Sequence, residues 1–114
     1  MLRPIILLMV LSASGPVLSA QVVHKGDIIK TLVDNERYGG CMVRIAPGPE
    51  LTLSTCNKHW ATFSCSGDFN SKSEGELKFQ SAQLAMLSGK RVALTLDDSK
   101  KHNGYCFVRR IDVE

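Results

Sequence analysis

The sequence predicts a small, mainly β protein with one helix, in the element order β-β-β-β-α-β-β, stabilised by two disulfides. Three observations lead to this fold class. Short runs rich in β-branched and other apolar residues recur along the chain and are separated by Gly, Pro, Asn and Asp. One later segment has leucines at helical spacing and a capping signal. The chain has 114 residues and four cysteines, an even number in a protein that can build only a small core.

The first twenty residues, MLRPIILLMVLSASGPVLSA, are typical of a secretory signal peptide that is cleaved after Ala20. A basic residue, Arg3, precedes an apolar run from Ile5 to Leu11, and small residues precede the cleavage position. The run is shorter than the roughly 20 residues that span a bilayer, so a membrane anchor is the weaker interpretation. We therefore expect an exported protein, periplasmic or secreted, that is not an integral membrane protein.

The remaining residues, 21 to 114, predict one small domain. Because Arg3 leaves with the signal peptide, the formal net charge falls from +3 to +2, which is too small to indicate a nucleic-acid-binding protein. An even number of cysteines in an exported domain of this size predicts two disulfides, formed by Cys41, Cys56, Cys65 and Cys106. A metal site is the alternative, but neither a CxxC pair nor a histidine at ligand spacing supports it. We expect no metal and no cofactor.

Four strands are predicted before the helix. They are GDIIKTLVD, then CMVRIA and LTLSTC on either side of a PGPE turn, then HWATFSC (residues 26–34, 41–46, 51–56 and 59–65). If the PGPE turn is symmetric, Cys41 and Cys56 lie opposite each other, close enough for a disulfide. The leucines of LTLSTC are out of phase with Cys56, which indicates a bulge or a shifted register. By elimination, Cys65 pairs with Cys106.

The segment SKSEGELKFQSAQLAMLSGK predicts the helix. Ser73 and Glu76 have capping-box spacing at its start, although Gly75 weakens the first turn. Gly89 lies where the C-terminus of a helix favours a left-handed residue. Three leucines share one stripe of the helix: Leu77, Leu84 and Leu87.

RVALTLDD and YCFVRRIDV, residues 91–98 and 105–113, predict a final hairpin. Two registers are open, one with a tight Asn-Gly turn and one with a longer SKKHNG loop. Both registers place Cys106 and Val108 on one face. Both place a larger apolar set on the other face, namely Val92, Leu94, Leu96, Phe107, Ile111 and Val113.

Arg109 and Arg110 are interpreted as structural residues of this hairpin. In the tight register Asp97 lies opposite Arg110 and Asp98 lies opposite Arg109, as cross-strand ion pairs at a solvated edge. The alternative is a ligand-facing basic patch, which would also include Lys100, Lys101 and His102.

WATFSC, SAQLAMLSGK and RVALTL stand in the order strand, helix, strand. With the neighbouring strands, this order resembles the five-stranded OB barrel, whose helix lies between the third and fourth barrel strands. This chain would then have one extra strand at the N-terminus of the barrel. Over roughly residues 40 to 113 it is also similar to the B subunits of pentameric bacterial toxins of the subtilase-cytotoxin and pertussis-like type. That resemblance implies a glycan-binding homo-oligomer, but the sugar-contacting serine motif is absent, so no binding residue is carried over. The ending GYCFVRRIDV also resembles the ends of small exported proteins of unknown function from marine gamma-proteobacteria.

Recognition is favoured over catalysis. The three histidines lie near a terminus, in a turn and in a loop, the cysteines are expected to be paired, and no nucleophile elbow occurs. The candidate ligand contacts are Trp60, Tyr38, Lys100, Lys101 and His102, although Trp60 is expected to pack inside the barrel. The sequence therefore predicts an exported, non-catalytic binding module that recognises a surface glycan or protein. The alternative is a periplasmic accessory or enzyme-inhibitor protein.

Overall fold

The computed structural model describes residues 21–35 and 37–114. The predicted signal peptide, residues 1–20, lies outside the described residues. Within them, the mainly β class with one α-helix and two disulfides is confirmed. In the same part of the chain, no helix is both long and apolar enough to cross a membrane.

In the described residues, five strands form a closed barrel and one α-helix lies between the third and fourth strands. The elements are β1 Gln21–Val33, β2 Cys41–Ala46, β3 Trp60–Thr62, α1 Lys72–Ser88, β4 Val92–His102 and β5 Tyr105–Val113. Around the barrel the order is β1-β2-β3-β5-β4, and β4 pairs back with β1. β3 and β5 run parallel, and the other neighbours run antiparallel. The helix thus has the position that the OB resemblance implies.

Alternate residues of the strands fill the barrel interior, as the period of two of a strand requires. Val43, Ile45, Leu94, Leu96 and Val108 point inward and are at most 1% exposed. α1 adds three residues to the same cluster, Phe79, Ala82 and Ala85. The helix therefore contributes a mostly small-residue face to the core.

The predicted strand LTLSTC does not form. Pro49–Leu51 is a 3-10 turn, and the chain between this turn and β3 is irregular. Prolines cannot donate a ladder hydrogen bond, and Pro47 and Pro49 directly precede this segment. Leu53 and Cys56 are buried and the residues between them are exposed, a spacing that differs from the period of two of a strand.

The predicted pairing of the cysteines is wrong. Cys41 is bonded to Cys65 and Cys56 to Cys106, with Cα atoms 5.5 and 5.3 Å apart. Because β2 pairs with β3 and not with residues 51–56, Cys41 lies beside the end of β3 and hence beside Cys65. Cys56 is not held in a hairpin and instead ties the irregular segment to β5. All four cysteines are paired, as the sequence predicts.

The helix begins before the predicted capping box. Its N-cap is Ser71 and not Ser73, and the Ser71 hydroxyl accepts a hydrogen bond from the Glu74 N–H at 3.1 Å. Gly89 ends the helix with a left-handed φ of 66°, as predicted.

The helix face that meets the barrel is not the leucine stripe. It consists of Gly75, Phe79, Ala82 and Ala85. A Cβ atom at Gly75 would lie 2.9 Å from the Phe63 carbonyl oxygen and 3.0 Å from the Cys65 Cα atom, so the helix backbone nearly touches the barrel there. Leucines would not fit at this distance, and they face away from the barrel.

The final hairpin has the tight turn of one of the two predicted registers. Asn103 and Gly104 have positive φ angles of 51° and 83°, as a type I′ turn requires, and His102 lies opposite Tyr105. Two irregularities further along the strands then shift the register.

These irregularities exchange the faces of β5 around Phe107, whereas Ile111 and Val113 lie opposite Leu94 and Val92, as predicted. Cys106 and Val108 lie in the core. Phe107, which was predicted to share the face of Leu94, points away from the barrel interior, is only 3% exposed beneath Phe69, and lies opposite Asp97. A one-residue shift turns the side chains between the two irregularities to the other face, so the predicted side of Phe107 is wrong.

The two arginines also lack the partners that the tight register predicts. Thr95 lies opposite Arg110, and Arg110 pairs with Asp112 on its own strand at 3.0 Å. Asp97 forms its ion pair with Arg109. Both arginines therefore contact carboxylates, but not the ones expected.

Candidate functional site

Outward-facing Phe107 borders a small cleft that we name the cationic cleft. Its lining residues are Phe69, Asn70, Glu74, Lys78, Lys100, Phe107 and Arg109, and its volume is about 140 Å³. That volume is comparable to roughly four or five water molecules, so the cleft suits one charged group and not a whole sugar ring. Three of the lining residues are cationic and one is acidic.

Lys78 of α1 lies over the aromatic ring of Phe107. Its Nζ atom is 4.7 Å from the ring centre and donates hydrogen bonds to Asn70 Oδ1 at 2.8 Å and to the Val108 carbonyl at 3.1 Å. Lys100 approaches the same ring from β4, with its Nζ atom 6.0 Å from the centre. Both contacts are cation–π arrangements, which hold each ammonium group beside the Phe107 ring.

The charges that line the cleft act on one another. Burial lowers the pKa of Lys78, the guanidinium of Arg109 lowers it further, and the carboxylate of Glu74 acts in the opposite direction. A partly desolvated ammonium beside a second cation is stabilised by an anion that enters the cleft. The electrostatics therefore favour a carboxylate, sulfate or phosphate group as the occupant.

Asp97 shapes the segment of β4 that carries Lys100. Its Oδ1 atom accepts hydrogen bonds from the Ser99 N–H at 2.9 Å and from the Ser99 hydroxyl at 2.6 Å. Burial alone would raise the pKa of Asp97, but the hydrogen bonds from Ser99 and the charge of Arg109 outweigh burial, and the pKa is lowered. Asp97 is therefore an anion at neutral pH and holds the irregular part of β4 in place.

His102 borders the cleft through Phe69. The two rings stack with their centres 4.2 Å apart and an interplanar angle of 29°. His102 Nε2 lies 2.9 Å from Ser64 Oγ and 3.8 Å from Asp68 Oδ2. Burial lowers the pKa of His102, and the carboxylates of Asp68 and Asp34 offset only part of that effect. The neutral imidazole is therefore the main form at neutral pH.

The contact between Ser64 and His102 does not have the geometry of a catalytic pair. Ser64 is 0% exposed, and its hydroxyl oxygen also accepts a hydrogen bond from the Phe69 N–H at 3.2 Å. Asp68 approaches the same ring nitrogen as the serine, whereas the carboxylate of a triad holds the other nitrogen. These contacts position His102 and Phe69, and the expectation that the protein is not an enzyme stays a prediction.

Trp60 lies on another part of the barrel surface. It is half-buried on the outer face of β3, in register with Arg44 of β2, which is in turn in register with Lys30 of β1. The Lys30 Nζ atom is 6.0 Å from the centre of the Trp60 ring. The expected position of Trp60 inside the barrel is therefore wrong, because the inward position of β3 belongs to Ala61.

Tyr38 and Lys101 also lie away from the cationic cleft. The ring of Tyr38 packs edge-on against that of Tyr105, with the centres 5.7 Å apart. The Lys101 Nζ atom donates a hydrogen bond to the Thr55 carbonyl at 2.6 Å. This contact turns Lys101 toward the irregular segment before β3.

Of the five candidate contacts, the structure thus brings only Lys100 and His102 to the cleft or its border. Five further residues that line the cleft were not singled out from the sequence as ligand contacts: Phe69, Asn70, Glu74, Lys78 and Phe107. Lys78 had no readable signal, because only the structure shows that the side of α1 with Gly75 and Ala82 meets the barrel. Phe107 had none, because a bulge decides which way it points.

No protein-family model, no curated protein and no solved structure matches the chain. The resemblance to toxin B subunits therefore stays a prediction. The site itself is the basis on which a function can be inferred.

Proposed function

We propose that the protein is an exported binding module that holds an acidic glycan through the cationic cleft. The observation that carries this proposal is the convergence of three cations from three elements on one cleft: Lys78 of α1, Lys100 of β4 and Arg109 of β5. Like charges that are brought together and partly desolvated disfavour their own ionised forms. A bound anion reverses that effect, so the cleft is suited to a negatively charged ligand group.

The size of the cleft and its aromatic border support the ligand class. About 140 Å³ accommodates a carboxylate or a sulfate group, and the remainder of a saccharide would lie over the rim. There the half-buried ring of Phe69 is held by its stack on His102, and an aromatic ring provides an apolar surface for the C–H groups of a sugar. A nucleic acid is a weaker candidate, because the formal net charge of the whole chain is only +3.

Export is part of the same proposal. Two disulfides in a domain of this size are typical of proteins in oxidising compartments, and the predicted signal peptide agrees with that location. A domain that is exported in this way would meet surface and cell-wall polysaccharides.

A glycan array with carboxylated, sulfated and neutral oligosaccharides tests the proposal. We expect the wild-type protein to bind acidic glycans and the Lys100→Gln/Arg109→Gln variant to lose more than about tenfold in affinity, since a charge-assisted hydrogen bond contributes about 1.5–3 kcal/mol. The matched control is Lys101→Gln/Arg110→Gln, which removes the same charge from neighbouring positions that do not line the cleft. Equal losses in both variants would contradict the proposal, as would a wild-type protein that binds no acidic glycan.

A second variant separates loss of the ligand site from loss of the fold. Arg109 also pairs with Asp97, so its replacement can lower stability, whereas Lys100 is exposed. Lys100→Gln alone should keep the wild-type melting curve and still bind acidic glycans more weakly. Unchanged binding by this variant would argue against the cleft as the site.

A further inference from the structure

The two disulfides differ in how far solvent reaches them. Cys56 and Cys106 are 4% and 0% exposed, so both ends of their bond lie in the core. Cys41 is 1% exposed, whereas its partner Cys65 is partly exposed. A reagent outside the folded protein can therefore approach the disulfides only at Cys65.

Cys65 borders a surface pocket of about 350 Å³. The other lining residues are Asp34, Asn35, Gly40, Ser66, Lys72 and Glu76. The volume is comparable to roughly twelve water molecules, so the pocket accommodates a small organic thiol. Access to the sulfur is one of the factors that set the rate of thiol–disulfide exchange, and this pocket provides access to one of the two bonds.

We propose that the Cys41–Cys65 bond is a site of thiol–disulfide exchange, at which a small external thiol attacks Cys65 through this pocket. The incoming thiolate forms a bond to Cys65 Sγ, and the bond between the two cysteines breaks. Its electron pair leaves with Cys41 Sγ, which takes up a proton from water. A second thiolate then attacks the external sulfur of the mixed disulfide and releases Cys65, so two external thiols are oxidised as the two cysteines are reduced.

The charges that line the pocket select the class of thiol. Asp34 and Glu76 contribute two carboxylates, and Lys72 contributes one ammonium group. Negative charge therefore predominates, and it repels a thiol that carries a second anionic group while it attracts one that carries an amine. The favoured reagent is an aminothiol such as cysteamine.

The same bond fastens the segment between β3 and α1. This segment carries Phe69 and Asn70, which line the cationic cleft. Next to the bond, the Ser66 N–H donates to the Gly39 carbonyl at 2.9 Å, and the Phe69 N–H donates to Ser64 Oγ at 3.2 Å. Opening of the bond removes the covalent support of this segment, so one wall of the cleft becomes more mobile. Neither step depends on which ligand the cleft holds.

Brief treatment of the folded protein with cysteamine, followed by acid quenching and peptide mapping by mass spectrometry, tests the exchange. We expect cysteamine on Cys65, a free thiol at Cys41, and an initial rate at least about tenfold higher than that of the Cys56–Cys106 bond. In urea that unfolds the chain, both bonds should open at similar rates, because the fold no longer shields either one.

Three results would overturn the proposal. They are equal rates for the two bonds in the folded protein, cysteamine on Cys41, and a Cys41–Cys65 bond that stays closed under conditions in which the unfolded chain reacts.

A comparison with mercaptoethanesulfonate, an anionic thiol of similar size, tests the selection by charge. Each rate is divided by the rate for the unfolded chain, which removes the intrinsic difference between the reagents. We expect cysteamine to be favoured about twofold to fivefold, and Glu76→Gln to reduce this preference. Glu114→Gln is the matched control, because Glu114 does not line the pocket, and it should leave the preference unchanged. Equal effects of the two changes would contradict the selection.

Backbone N–H order parameters from NMR relaxation test the effect on the cleft. In the closed protein, Ser66 and Phe69 should have values near about 0.85, and after the bond is opened these should fall below about 0.6. The strand residues of the β1–β4 pair, which the bond does not join, should keep their values. Unchanged values at Ser66 and Phe69 would show that the bond does not fasten this wall.

Discussion

Asp97 and Arg109 form an ion pair that joins β4 to β5, with Asp97 Oδ2 3.3 Å from Arg109 Nη1. The Asp97 side chain is 1% exposed and the Arg109 side chain is 47% exposed. Because Asp97 also accepts two hydrogen bonds from Ser99, one buried carboxylate orients both Arg109 and the segment that carries Lys100. Two of the three cations of the cleft therefore depend on Asp97 for their positions.

Replacement of Asp97 by Asn should destabilise the protein by about 1–3 kcal/mol, because a buried network then loses its charge. The same change should weaken binding of an acidic glycan, since Arg109 loses its ion pair and the segment that carries Lys100 loses the charged acceptor of its Ser99 hydrogen bonds. Urea unfolding measures the first effect. Asp112→Asn is the matched control, because it breaks the Arg110–Asp112 pair, whose side chains are 73% and 47% exposed, and should cost less than about 1 kcal/mol. Equal destabilisation by both changes would contradict the special role of Asp97.

His102 should make the stability depend on pH in the interval just below 6.5, the ordinary pKa of histidine. Burial lowers the pKa of His102 below its ordinary value of 6.5, so the unfolded chain binds this proton more tightly than the folded chain. The contribution of His102 to the free energy of unfolding is therefore fully present above the pKa of the unfolded chain and falls as the pH drops below that value. His102→Gln should reduce this fall, which melting temperatures across the interval would measure.

Two carboxylates provide an internal check on that interval. The pKa values of Glu50 and Asp97 are lowered from 4.5 and 3.8, so their contributions to stability are lost only at lower pH. Loss of stability below about pH 4.5 should thus be similar in the wild-type protein and in the His102 variant. An unchanged slope just below pH 6.5 in the variant would show that His102 is not the responsible group.

Gly75→Ala should destabilise the protein although alanine is the better helix former. Alanine favours a helix by about 1 kcal/mol relative to glycine, but the added Cβ atom would lie 2.9 Å from the Phe63 carbonyl oxygen. Overpacking of this kind costs about 1–3 kcal/mol, so the net change should be a loss. Gln80→Ala, at an exposed position of the same helix, should change stability by less than about 0.5 kcal/mol. A more stable Gly75→Ala protein would mean that α1 lies farther from the barrel.

Peptide mapping of the unreduced protein should find Cys41 linked to Cys65 and Cys56 linked to Cys106. Replacing either pair by serines should cost about 2–5 kcal/mol. The Cys56–Cys106 bond spans 50 residues and the Cys41–Cys65 bond spans 24. Removal of the disulfide that closes the longer loop should therefore lower the free energy of unfolding by about 0.6 kcal/mol more. A peptide that links Cys41 to Cys56 would contradict the structure.

Local signals in the sequence were sufficient for much of the architecture. The mainly β class, the position of the helix in the chain and the left-handed Gly89 all follow from a few neighbouring residues, and the tight turn at Asn103 and Gly104 was one of two alternatives. The presence of two disulfides follows from the number of cysteines and the size of the domain. None of these features depends on which distant segments pack together.

The sequence by itself determined most of the elements that this chain forms, because helix and turn propensities act over a few residues, but the predicted strand LTLSTC does not form. The tertiary structure decided which cysteine meets which, which side of α1 is buried, and that Phe107 and Lys78 share a cleft. Strand pairing and bulges set these features, and a one-residue shift moves every later side chain to the other face of a sheet. The candidate site could be predicted only in part, because Lys100 and His102 are near each other in the chain, whereas the cations of α1 and β5 reach the same cleft only when the barrel closes.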